Sequence, residues 1–219
     1  MLSPECELSG PEPVDSASDL AMVYKIVEIF HSVQGEGAHA GIPHVFIRFG
    51  KCNLQCEWCD TDFEKFDEMS AIDILGEVMK YPSKRIIFTG GEPMLNDLWP
   101  LHRLFKARGY DLSCESNGTI VIPEGLLDWI CISPKDQMYP NVKIRQQTGD
   151  ELKCVYVGQD LSLYDELIDG FTHHFLQPCY MESESVEWNG KNFALTESVV
   201  KDSPPWRLSL QTHKWMGVD

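Results

Sequence analysis

The segment Lys51–Phe63, KCNLQCEWCDTDF, contains three cysteines within eight residues, in the spacing C-x3-C-x2-C. A loop this short can turn the sulfur atoms of Cys52, Cys56 and Cys59 towards one point. Thiolates are soft ligands that suit zinc, copper(I) or iron–sulfur clusters. A structural zinc site is closed by four protein ligands, and an iron–sulfur cluster commonly uses four cysteines. Three cysteines therefore indicate a metal centre with one position open to a further ligand.

Two other interpretations of this loop stay open on spacing alone. The three cysteines are also compatible with inert thiols, or with a zinc site that a distant histidine completes. In the second case the chain would be a non-catalytic zinc-binding interaction module.

The composition limits the class of protein. The 219 residues suffice for one domain with a full core. A net charge of −16 repels phosphate backbones, so nucleic acid is not an expected partner. No secretory signal precedes the eight cysteines, and no apolar run reaches the roughly 20 residues of a membrane helix. Because thiols that await iron need a reducing compartment, we expect a cytoplasmic protein.

The first residues differ in composition from the rest of the chain. Residues 1–21 are rich in Ser, Pro, Glu and Asp and contain no Lys or Arg. This composition predicts a disordered acidic extension and disfavours a targeting peptide. A single domain is then expected over residues 22–219.

From Tyr24 onward, short apolar runs of strand type alternate with helical patterns. The predicted strands are Tyr24–Phe30, Val45–Phe49, Arg85–Thr89, Leu112–Ser116, Trp129–Ser133, Leu152–Val157, Phe175–Gln177 and Trp206–Gln211. The predicted helices run from a cap at Ser70 to Lys80, and over Asp97–Arg108, Ser162–Ile168 and Ala194–Lys201. This alternation predicts an α/β fold, a single-domain open or partial (β/α) barrel with mainly parallel strands.

Polar segments follow four of the predicted strands. They are Thr89–Gly91, Glu115–Asn117, Ser133–Lys135 and Gln177–Tyr180. Any one of them could be an ordinary solvated strand end. In parallel α/β folds, however, ligand sites form at the carboxyl ends of the strands. We therefore expect these segments to meet in one site.

Cysteines and histidines outside the loop have a simpler interpretation. Cys114, Cys131 and Cys154 lie within apolar strands, so we expect buried hydrophobic residues there. His173 and His174 are adjacent on a strand, so their side chains should point to opposite faces and not share a metal.

The cysteine loop, with Trp58 directly before Cys59, resembles the cluster-binding loop of the radical S-adenosylmethionine (SAM) superfamily. The sequence GGEP at Gly90–Pro93 is similar to the motif of that superfamily that binds the amino group of SAM. The resemblance implies that Cys52, Cys56 and Cys59 hold a [4Fe–4S] cluster, with SAM on the fourth iron. The SAM-binding residues that it implies are Trp58, Cys59, Asp60, Gly91, Glu92, Ser133, Pro134, Lys135, Gln177, Pro178, Cys179 and Tyr180.

Four further features narrow the resemblance: FHSVQGEG at Phe30–Gly37, Arg48, Asp60–Thr61 and WRLSLQTHK at Trp206–Lys214. Together they resemble the 7-carboxy-7-deazaguanine synthase family of 7-deazapurine (queuosine precursor) biosynthesis. That family removes a hydrogen from C6 of 6-carboxy-5,6,7,8-tetrahydropterin, contracts the ring and releases ammonia, with Mg²⁺ assisting. A glycyl-radical-enzyme activase is the alternative radical SAM enzyme, and the QGEG segment and the C-terminal tail argue against it.

This resemblance also implies the roles of individual residues. Arg48 would clamp the substrate carboxylate through its planar fork, and Thr61 would be a ligand of Mg²⁺. The implied substrate-binding residues are Val33, Gln34, Gly35, Glu36, Arg48, Thr89, Glu115, His213 and Asp219. The family tail ends on an apolar residue or proline, so Asp219 departs from the pattern. The expected partners are the small pterin substrate, an electron-donor protein such as a flavodoxin or ferredoxin, and a second copy of the chain in a homodimer.

We predict that Cys56→Ala abolishes cluster assembly and SAM cleavage, because two thiolates cannot retain a [4Fe–4S] cluster that needs three. Iron content and 5′-deoxyadenosine formation after anaerobic reconstitution measure both effects. Cys6→Ala, outside the loop, is the control and should match the original protein. Normal iron content in Cys56→Ala would contradict the assignment of the loop.

Overall fold

Apolar runs form one nine-stranded sheet within the part of the chain that the structure describes. The structure is a computed structural model, and it describes residues 16–59, 61–135, 139 and 141–216. The strands are β1 (Val23–Val33), β2 (Pro43–Phe49), β3 (Asp67–Ser70), β4 (Arg85–Gly90), β5 (Asp111–Ser116), β6 (Trp129–Ile132), β7 (Gly149–Tyr156), β8 (Phe171–Pro178) and β9 (Arg207–Leu208). Their order across the sheet is β3-β1-β2-β4-β5-β6-β7-β8-β9.

Most neighbouring strands in this sheet are parallel. Only β1 pairs antiparallel, with β2 on one side and β3 on the other. Every pair from β2 to β9 is parallel, so the carboxyl ends of those strands lie at one edge. The order is linear, with β3 and β9 at its two edges. The predicted α/β fold with mainly parallel strands is confirmed, and an open sheet of this kind is consistent with a partial barrel.

The helices lie between or after the parallel strands. They are α1 (Ala17–Ala21), α2 (Ala71–Val78), α3 (Trp99–Lys106), α4 (Asp165–Ile168), α5 (Val186–Asp202) and α6 (Thr212–Met216). The predicted cap of α2 is confirmed, since the Ser70 hydroxyl accepts a hydrogen bond from the Asp73 backbone N–H at 3.3 Å. Among the described residues, no helix combines the length and apolar character that crossing a membrane requires.

Alternation along the strands separates the core from the opposite face of the sheet. On β2, Val45, Ile47 and Phe49 are fully buried in the core beneath α2 and α3, whereas Phe46 and Arg48 face the other way. The same period of two runs through the neighbouring strands. The core residues that they contribute are Ile86, Phe88, Leu112, Cys114, Leu152, Cys154 and Leu176. The opposite face is therefore free to carry polar side chains.

Several predicted boundaries differ from the structure. The short strand β3 was not predicted, and β9 covers only Arg207–Leu208. The Ser209 and Gln211 side chains that follow it bond to Gln177 and Glu36. Helix α5 starts at Val186, eight residues before the predicted Ala194. Its only buried residue is Thr196, so its apolar periodicity is weak.

The two adjacent histidines lie on opposite faces, as predicted. His174 is buried, and its Nε2 lies 2.8 Å from the carbonyl oxygen of Ile168. His173 stacks on Trp129, with ring centroids 5.6 Å apart. They do not share a metal site.

The segment before β1 is not disordered throughout. Ser16 caps α1 by accepting a hydrogen bond from the backbone N–H of Asp19. Asp19 is buried, and its carboxylate accepts two hydrogen bonds of 2.6 Å from Arg103 on α3. The prediction of disorder is therefore wrong for residues 16–21. No local pattern indicates a partner 84 residues away. Residues 1–15 lie outside the described residues.

We predict that Asp19→Asn lowers the free energy of unfolding at neutral pH by about 1–3 kcal/mol, because it removes the carboxylate that Arg103 binds with two hydrogen bonds. The hydrogen bonds from Arg103 hold the pKa of Asp19 below its ordinary value of 3.8. The stabilisation should be fully present above that value and be lost as the pH falls through the lower pKa of the folded state.

Urea unfolding of the original protein and of Asp19→Asn at pH 7 and below pH 4 measures this difference. Glu124→Gln, in an exposed turn, is the control for replacing a carboxylate by an amide and should change stability by less than about 0.5 kcal/mol. A difference that does not shrink in acid would contradict the role of the Asp19 charge.

Candidate active site

A cavity of about 260 Å³ opens at the edge where the parallel strands end. Its walls come from the cysteine loop after β2, from the residues that follow β4, β5, β6 and β8, and from the segment around α6. The four polar segments that were predicted to meet all contribute residues to this cavity. The topology thus brings separate strand ends to one site.

The cysteine loop is attached to the sheet by backbone hydrogen bonds. Lys51 has a left-handed backbone with a φ of 70°, which turns the chain away from the end of β2. Its N–H donates to the carbonyl oxygen of Phe63 at 2.9 Å, and its own carbonyl oxygen accepts from the N–H of Glu92 at 2.9 Å. The loop is thereby held beside the glycine pair Gly90–Gly91.

Side chains fix the exposed part of the same loop. Asn53 accepts a hydrogen bond from the Asn117 amide at 2.9 Å and donates one to the Thr119 hydroxyl at 2.8 Å. The Tyr139 hydroxyl accepts from the backbone N–H of Gln55 at 3.1 Å and donates to the carbonyl oxygen of the same residue. The loop conformation therefore depends on the ends of β5 and β6.

Cys52, Cys56 and Cys59 all line the cavity. Burial raises the pKa of the Cys52 thiol above its ordinary value, and the negative charge of Glu92 raises it further. Burial likewise raises the pKa of Cys56, which the positive charge of Lys135 partly opposes. A bound cation would stabilise the thiolates against these effects. The donor set therefore fits a metal cluster.

The thiols are not yet at metal-ligand geometry. In the described part of the chain, no three side chains of His, Cys, Asp or Glu are arranged to hold a metal ion. The backbone N–H of Leu54 donates to Cys52 Sγ at 3.5 Å, and Cys59 Sγ donates to the carbonyl oxygen of Thr61 at 3.6 Å. Binding a cluster would therefore require Cys59 to lose its thiol proton and the bond to Thr61, whereas Cys52 Sγ could keep the N–H of Leu54 as a bound thiolate.

Trp58 contributes an unpaired donor beside the cysteines. Its indole Nε1 is buried and has no hydrogen-bond partner among the described residues. An unsatisfied buried N–H is costly, so a ligand acceptor at this wall of the cavity would be stabilised. Asp60, predicted to bind SAM, lies outside the described residues.

Glu92 does not line the cavity. Its carboxylate is fully buried and accepts hydrogen bonds from the Ser116 hydroxyl and the Asn117 N–H, each at 2.8 Å, and from the Met94 N–H at 3.0 Å. Burial raises the pKa of Glu92, although these donors oppose the rise. In this structure Glu92 joins the ends of β4 and β5, and its predicted contact with SAM stays a prediction.

A buried lysine joins two carboxylates on the polar face of the sheet. Lys153 Nζ lies 2.6 Å from Glu36 Oε2 and 3.1 Å from Glu115 Oε1. The same Glu115 oxygen accepts a hydrogen bond from Gln34 Nε2 at 2.8 Å. These four side chains line the same cavity as the three cysteines of the loop. They present buried charge and hydrogen-bonding groups to any ligand there.

The charge state of Glu36 follows from its donors. Gln177 and Gln211 donate to Glu36 Oε1 at 3.1 Å and 2.8 Å, and Lys153 donates to Oε2. Burial alone would raise the pKa of Glu36, but the charge and hydrogen bonds of Lys153, with the hydrogen bond of Gln211, lower it to about 2. Glu36 is therefore ionised at neutral pH.

Arg48 lies between two oxygen groups at the rim of the cavity. Its Nε donates to Glu28 Oε1 at 2.7 Å, and its Nη1 donates to the Thr61 hydroxyl at 2.8 Å. The Arg48 side chain is about one quarter exposed, at 24%. Its guanidinium also packs over the ring of Phe30 at 5.6 Å. The structure thus brings the predicted carboxylate clamp and the predicted magnesium ligand into direct contact.

The C-terminal segment closes one side of the cavity. The Thr212 N–H and hydroxyl both donate to the carbonyl oxygen of Gly35 at 2.9 Å. A Cβ atom on Gly35 would lie 2.0 Å from His213 Nδ1, so only glycine allows α6 to approach this closely. Asp219, whose role was open, lies outside the described residues.

The structure brings nearly all of the predicted site residues to one cavity. Glu92 and Pro134 are the described ones that do not line it. The predicted residues that line it are Val33, Gln34, Gly35, Glu36, Arg48, Cys52, Cys56, Trp58, Cys59, Thr61, Thr89, Gly91, Glu115, Ser133, Lys135, Gln177, Pro178, Cys179, Tyr180 and His213. Their roles towards a ligand stay predictions.

Sequence reasoning missed the polar residues Lys153 and Gln211, which also line the cavity. A signal for Lys153 was present in the strand sequence ELKCVY, where the lysine stands between two apolar core residues. Alternation places such a lysine on the face opposite the core. Gln211 is the last residue of the predicted strand Trp206–Gln211, and nothing in that strand pattern marks its side chain as a cavity residue.

A mainly parallel α/β sheet with a three-cysteine loop and a glycine pair at its carboxyl edge is the arrangement of a radical SAM protein. The Radical SAM superfamily matches residues 46–151 of this chain. A crystal structure of QueE from Escherichia coli is similar, with a TM-score of 0.70 and 27% identity, covering 89% of this chain and 98% of that one.

Curated relatives define the family more narrowly. A 7-carboxy-7-deazaguanine synthase of Bacteroides thetaiotaomicron is 46% identical over 90% of this chain and 100% of its own length. One of Neisseria meningitidis is 39% identical over 90% of this chain and 94% of its own length. The chain belongs to the 7-carboxy-7-deazaguanine synthase family. The resemblance inferred from the sequence motifs is confirmed.

We predict that Gly91→Ala impairs cluster assembly, because the added Cβ would lie 1.7 Å from the carbonyl oxygen of Lys51, at the start of the cysteine loop. Backbone cannot yield as a side chain can, so we expect about 1–3 kcal/mol of destabilisation and a fall in bound iron. Iron content and visible absorbance after reconstitution, with the melting temperature, measure these effects.

Gly76→Ala, on α2, is the matched control, because nothing lies within 4 Å of the added methyl group. That variant should bind iron like the original protein. Unchanged iron content and stability in Gly91→Ala would contradict the tight approach of the two segments.

Proposed function

We propose that the protein is a radical SAM lyase that converts 6-carboxy-5,6,7,8-tetrahydropterin to 7-carboxy-7-deazaguanine with loss of ammonia. The observation that carries this proposal is one cavity that is lined both by the three cysteines and by Arg48, Glu115 and Lys153. The names of the relatives support the same reaction. Substrate atoms are all retained in the two products, so the conversion is redox-neutral overall.

The cofactors are a [4Fe–4S] cluster and SAM, as membership of the superfamily implies. Cys52, Cys56 and Cys59 would hold the cluster, which leaves one iron for SAM. When bound, the cluster and SAM together supply hydrogen-atom abstraction. The protein has to place the substrate carbon next to that chemistry and keep water out.

The SAM site is formed by the strand ends nearest the cysteines. Gly91 brings backbone groups to the cavity, while Ser133 and Lys135 follow β6 on the adjacent side. Lys135 Nζ donates to the hydroxyl and the carbonyl oxygen of Ser133, at 2.6 Å and 2.7 Å. This arrangement supports a ligand with both amino and carboxylate groups, because it offers donors and acceptors within one small wall.

The substrate site has features that fit each part of a carboxypterin. Phe30 and Phe46 stack at 4.9 Å with an interplanar angle of 7°, and both line the cavity beside Arg48. Flat aromatic walls suit a fused ring. The Arg48 guanidinium can bind a carboxylate in a bidentate way, and the Glu115 carboxylate can accept hydrogen bonds from ring N–H groups.

Magnesium is part of this proposal, with Thr61 as its protein ligand. A hydroxyl oxygen has two acceptor positions, and Arg48 uses one of them. Mg²⁺ keeps several waters and binds with few protein ligands plus substrate oxygens, so one hydroxyl fits it. Because Mg²⁺ and Arg48 are both cations, the substrate carboxylate would have to lie between them.

His213 and the end of the chain would cover the ring. His213 lines the cavity and packs against Gly35, and the Thr212 bonds hold α6 there. The family role of the last residue in binding the ring stays a prediction for Asp219, which lies outside the described residues.

The remaining partners and the location complete the proposal. The electron enters from a donor protein such as a flavodoxin or ferredoxin, and the exposed Cys59 supports access to the cluster from the surface. The charge of −16 argues against nucleic acid. A cytoplasmic location follows from the need to keep the loop cysteines reduced. Assembly as a homodimer rests on the family resemblance alone.

The test is anaerobic incubation of reconstituted protein with SAM, a reductant and the carboxypterin, followed by mass analysis of the product. We expect 7-carboxy-7-deazaguanine, with no net consumption of SAM. Isolated protein that contains zinc without iron would contradict the enzyme assignment. Cleavage of SAM without the deazapurine product would contradict the substrate assignment.

We predict that Arg48→Ala assembles a normal cluster but lowers substrate turnover by roughly 30-fold or more, because a charge-assisted bidentate pair of about 2 kcal/mol is lost. Iron content and the kcat/KM for the carboxypterin separate the two effects. Arg85→Ala, exposed at the opposite end of β4 from Thr89, is the control. Normal turnover in Arg48→Ala would refute the clamp.

A further inference from the structure

Lys153 is the one residue of the polar face that contacts two cavity-lining carboxylates in the described part of the chain. It lies on β7, its side chain is only 4% exposed, and its ammonium is 2.6 Å from Glu36 and 3.1 Å from Glu115. A buried lysine is costly unless it is paired. The two carboxylates come from the segment after β1 and from β5, far apart in the chain.

The oxygens of the two carboxylates are used differently. Both oxygens of Glu36 are occupied, Oε2 by Lys153 and Oε1 by the amides of Gln177 and Gln211. Only Oε1 of Glu115 is occupied, by Lys153 and Gln34. Glu115 Oε2 has no hydrogen-bond partner among the described residues, and a quarter of the Glu115 side chain is exposed. Glu115 therefore keeps one oxygen for a ligand.

We propose that Lys153 is a positioning residue of the substrate site: it holds Glu36 and Glu115 side by side as carboxylates, so that Glu115 Oε2 can accept hydrogen bonds from the amino-pyrimidinone edge of a pterin. Glu36 then acts as the inner support of Lys153 and not as the principal substrate contact. The inference rests on the proposed function, which it deepens by naming the group that sets recognition of the ring.

Electrostatics explains why the site needs this lysine. The groups that face the ammonium are Glu36, Glu115 on β5, Cys131 on β6 and Glu151 on β7 itself. Burial lowers the pKa of Lys153, but the carboxylates of Glu115 and Glu36 raise it well above its ordinary value. Without the ammonium between them, the Glu36 and Glu115 carboxylates would repel each other, and Glu115 would no longer be held beside Glu36. A displaced Glu115 would not offer Oε2 where the pterin presents its donors.

The same arrangement predicts selectivity for the amino group of the ring. A pterin offers N–H donors along this edge, whereas a lumazine carries a carbonyl oxygen in place of the amino group. That oxygen would face the Glu115 carboxylate without a hydrogen between them, which is repulsive. Discrimination between 6-carboxypterin and 6-carboxylumazine therefore reports on whether the Glu115 carboxylate is held at this edge of the ring.

The experiment compares Lys153→Met with the original full-length protein. Binding of 6-carboxypterin and of 6-carboxylumazine is measured from the quenching of their own fluorescence, and binding of SAM is measured separately by calorimetry. We expect Lys153→Met to weaken binding of 6-carboxypterin by roughly 10- to 100-fold. The preference over the lumazine should fall towards unity, while SAM affinity changes by less than about threefold.

Three further variants make the result specific. Lys153→Arg should recover much of the affinity, because it keeps the positive charge. Glu115→Gln/Lys153→Met should bind no more weakly than Glu115→Gln alone, and this pair decides the question if Lys153→Met does not fold. Lys80→Met removes an exposed lysine that pairs with Glu77 and should change nothing.

The experiment distinguishes a failure of the proposed substrate from a failure of the proposed role of Lys153. If the original protein binds SAM but not 6-carboxypterin, the proposed substrate is wrong, and the role of Lys153 falls with it. If the original protein binds 6-carboxypterin and Lys153→Met binds it within about twofold, or keeps the full preference over the lumazine, the positioning role is overturned while the proposed function stands.

Discussion

The parallel pairing of β2 with β4 is the constraint on which the rest of the site depends. Its register places Phe49 beside Gly90, and the chains continue the pairing beyond the strands, through Gly91 to Phe49 and Glu92 to Lys51. The cysteine loop leaves one strand at the point where the glycine pair leaves the other. The three-cysteine loop and the glycine pair are thus adjacent because two strands are parallel and in this register.

One face of the sheet packs against the apolar core, and the other face carries the polar side chains of the cavity. Alternation gives one face to the apolar core and leaves the other to Arg48, Glu115 and Lys153. In a chain of net charge −16, burying carboxylates needs local compensation, and the structure supplies it as one ammonium between two of them. The negative charge of these carboxylates is therefore compensated within the site, independently of the acidic surface.

In two parts of the site, a bound ligand would change the present hydrogen bonds. The thiols of the loop are engaged in weak hydrogen bonds to neighbouring backbone, and Arg48 holds the Thr61 hydroxyl. A carboxylate ligand would offer Arg48 a stronger acceptor than that hydroxyl. The same carboxylate would also provide a place for a second cation beside Arg48. The contacts at the rim thus favour the arrival of an anionic ligand.

Local patterns in the sequence were enough to predict the three-cysteine loop, the Ser70 cap of α2, the order of the strands along the chain and the polar segments at the strand ends. Each of these features depends on neighbours within a few residues. Tertiary structure alone decided that Lys153 meets Glu36 across 117 positions, that Asp19 pairs with Arg103, and that Glu92 turns away from the cavity. Those contacts join residues that are distant in the chain, and their geometry follows from strand order and register. No local periodicity encodes which distant side chains will share one buried charge.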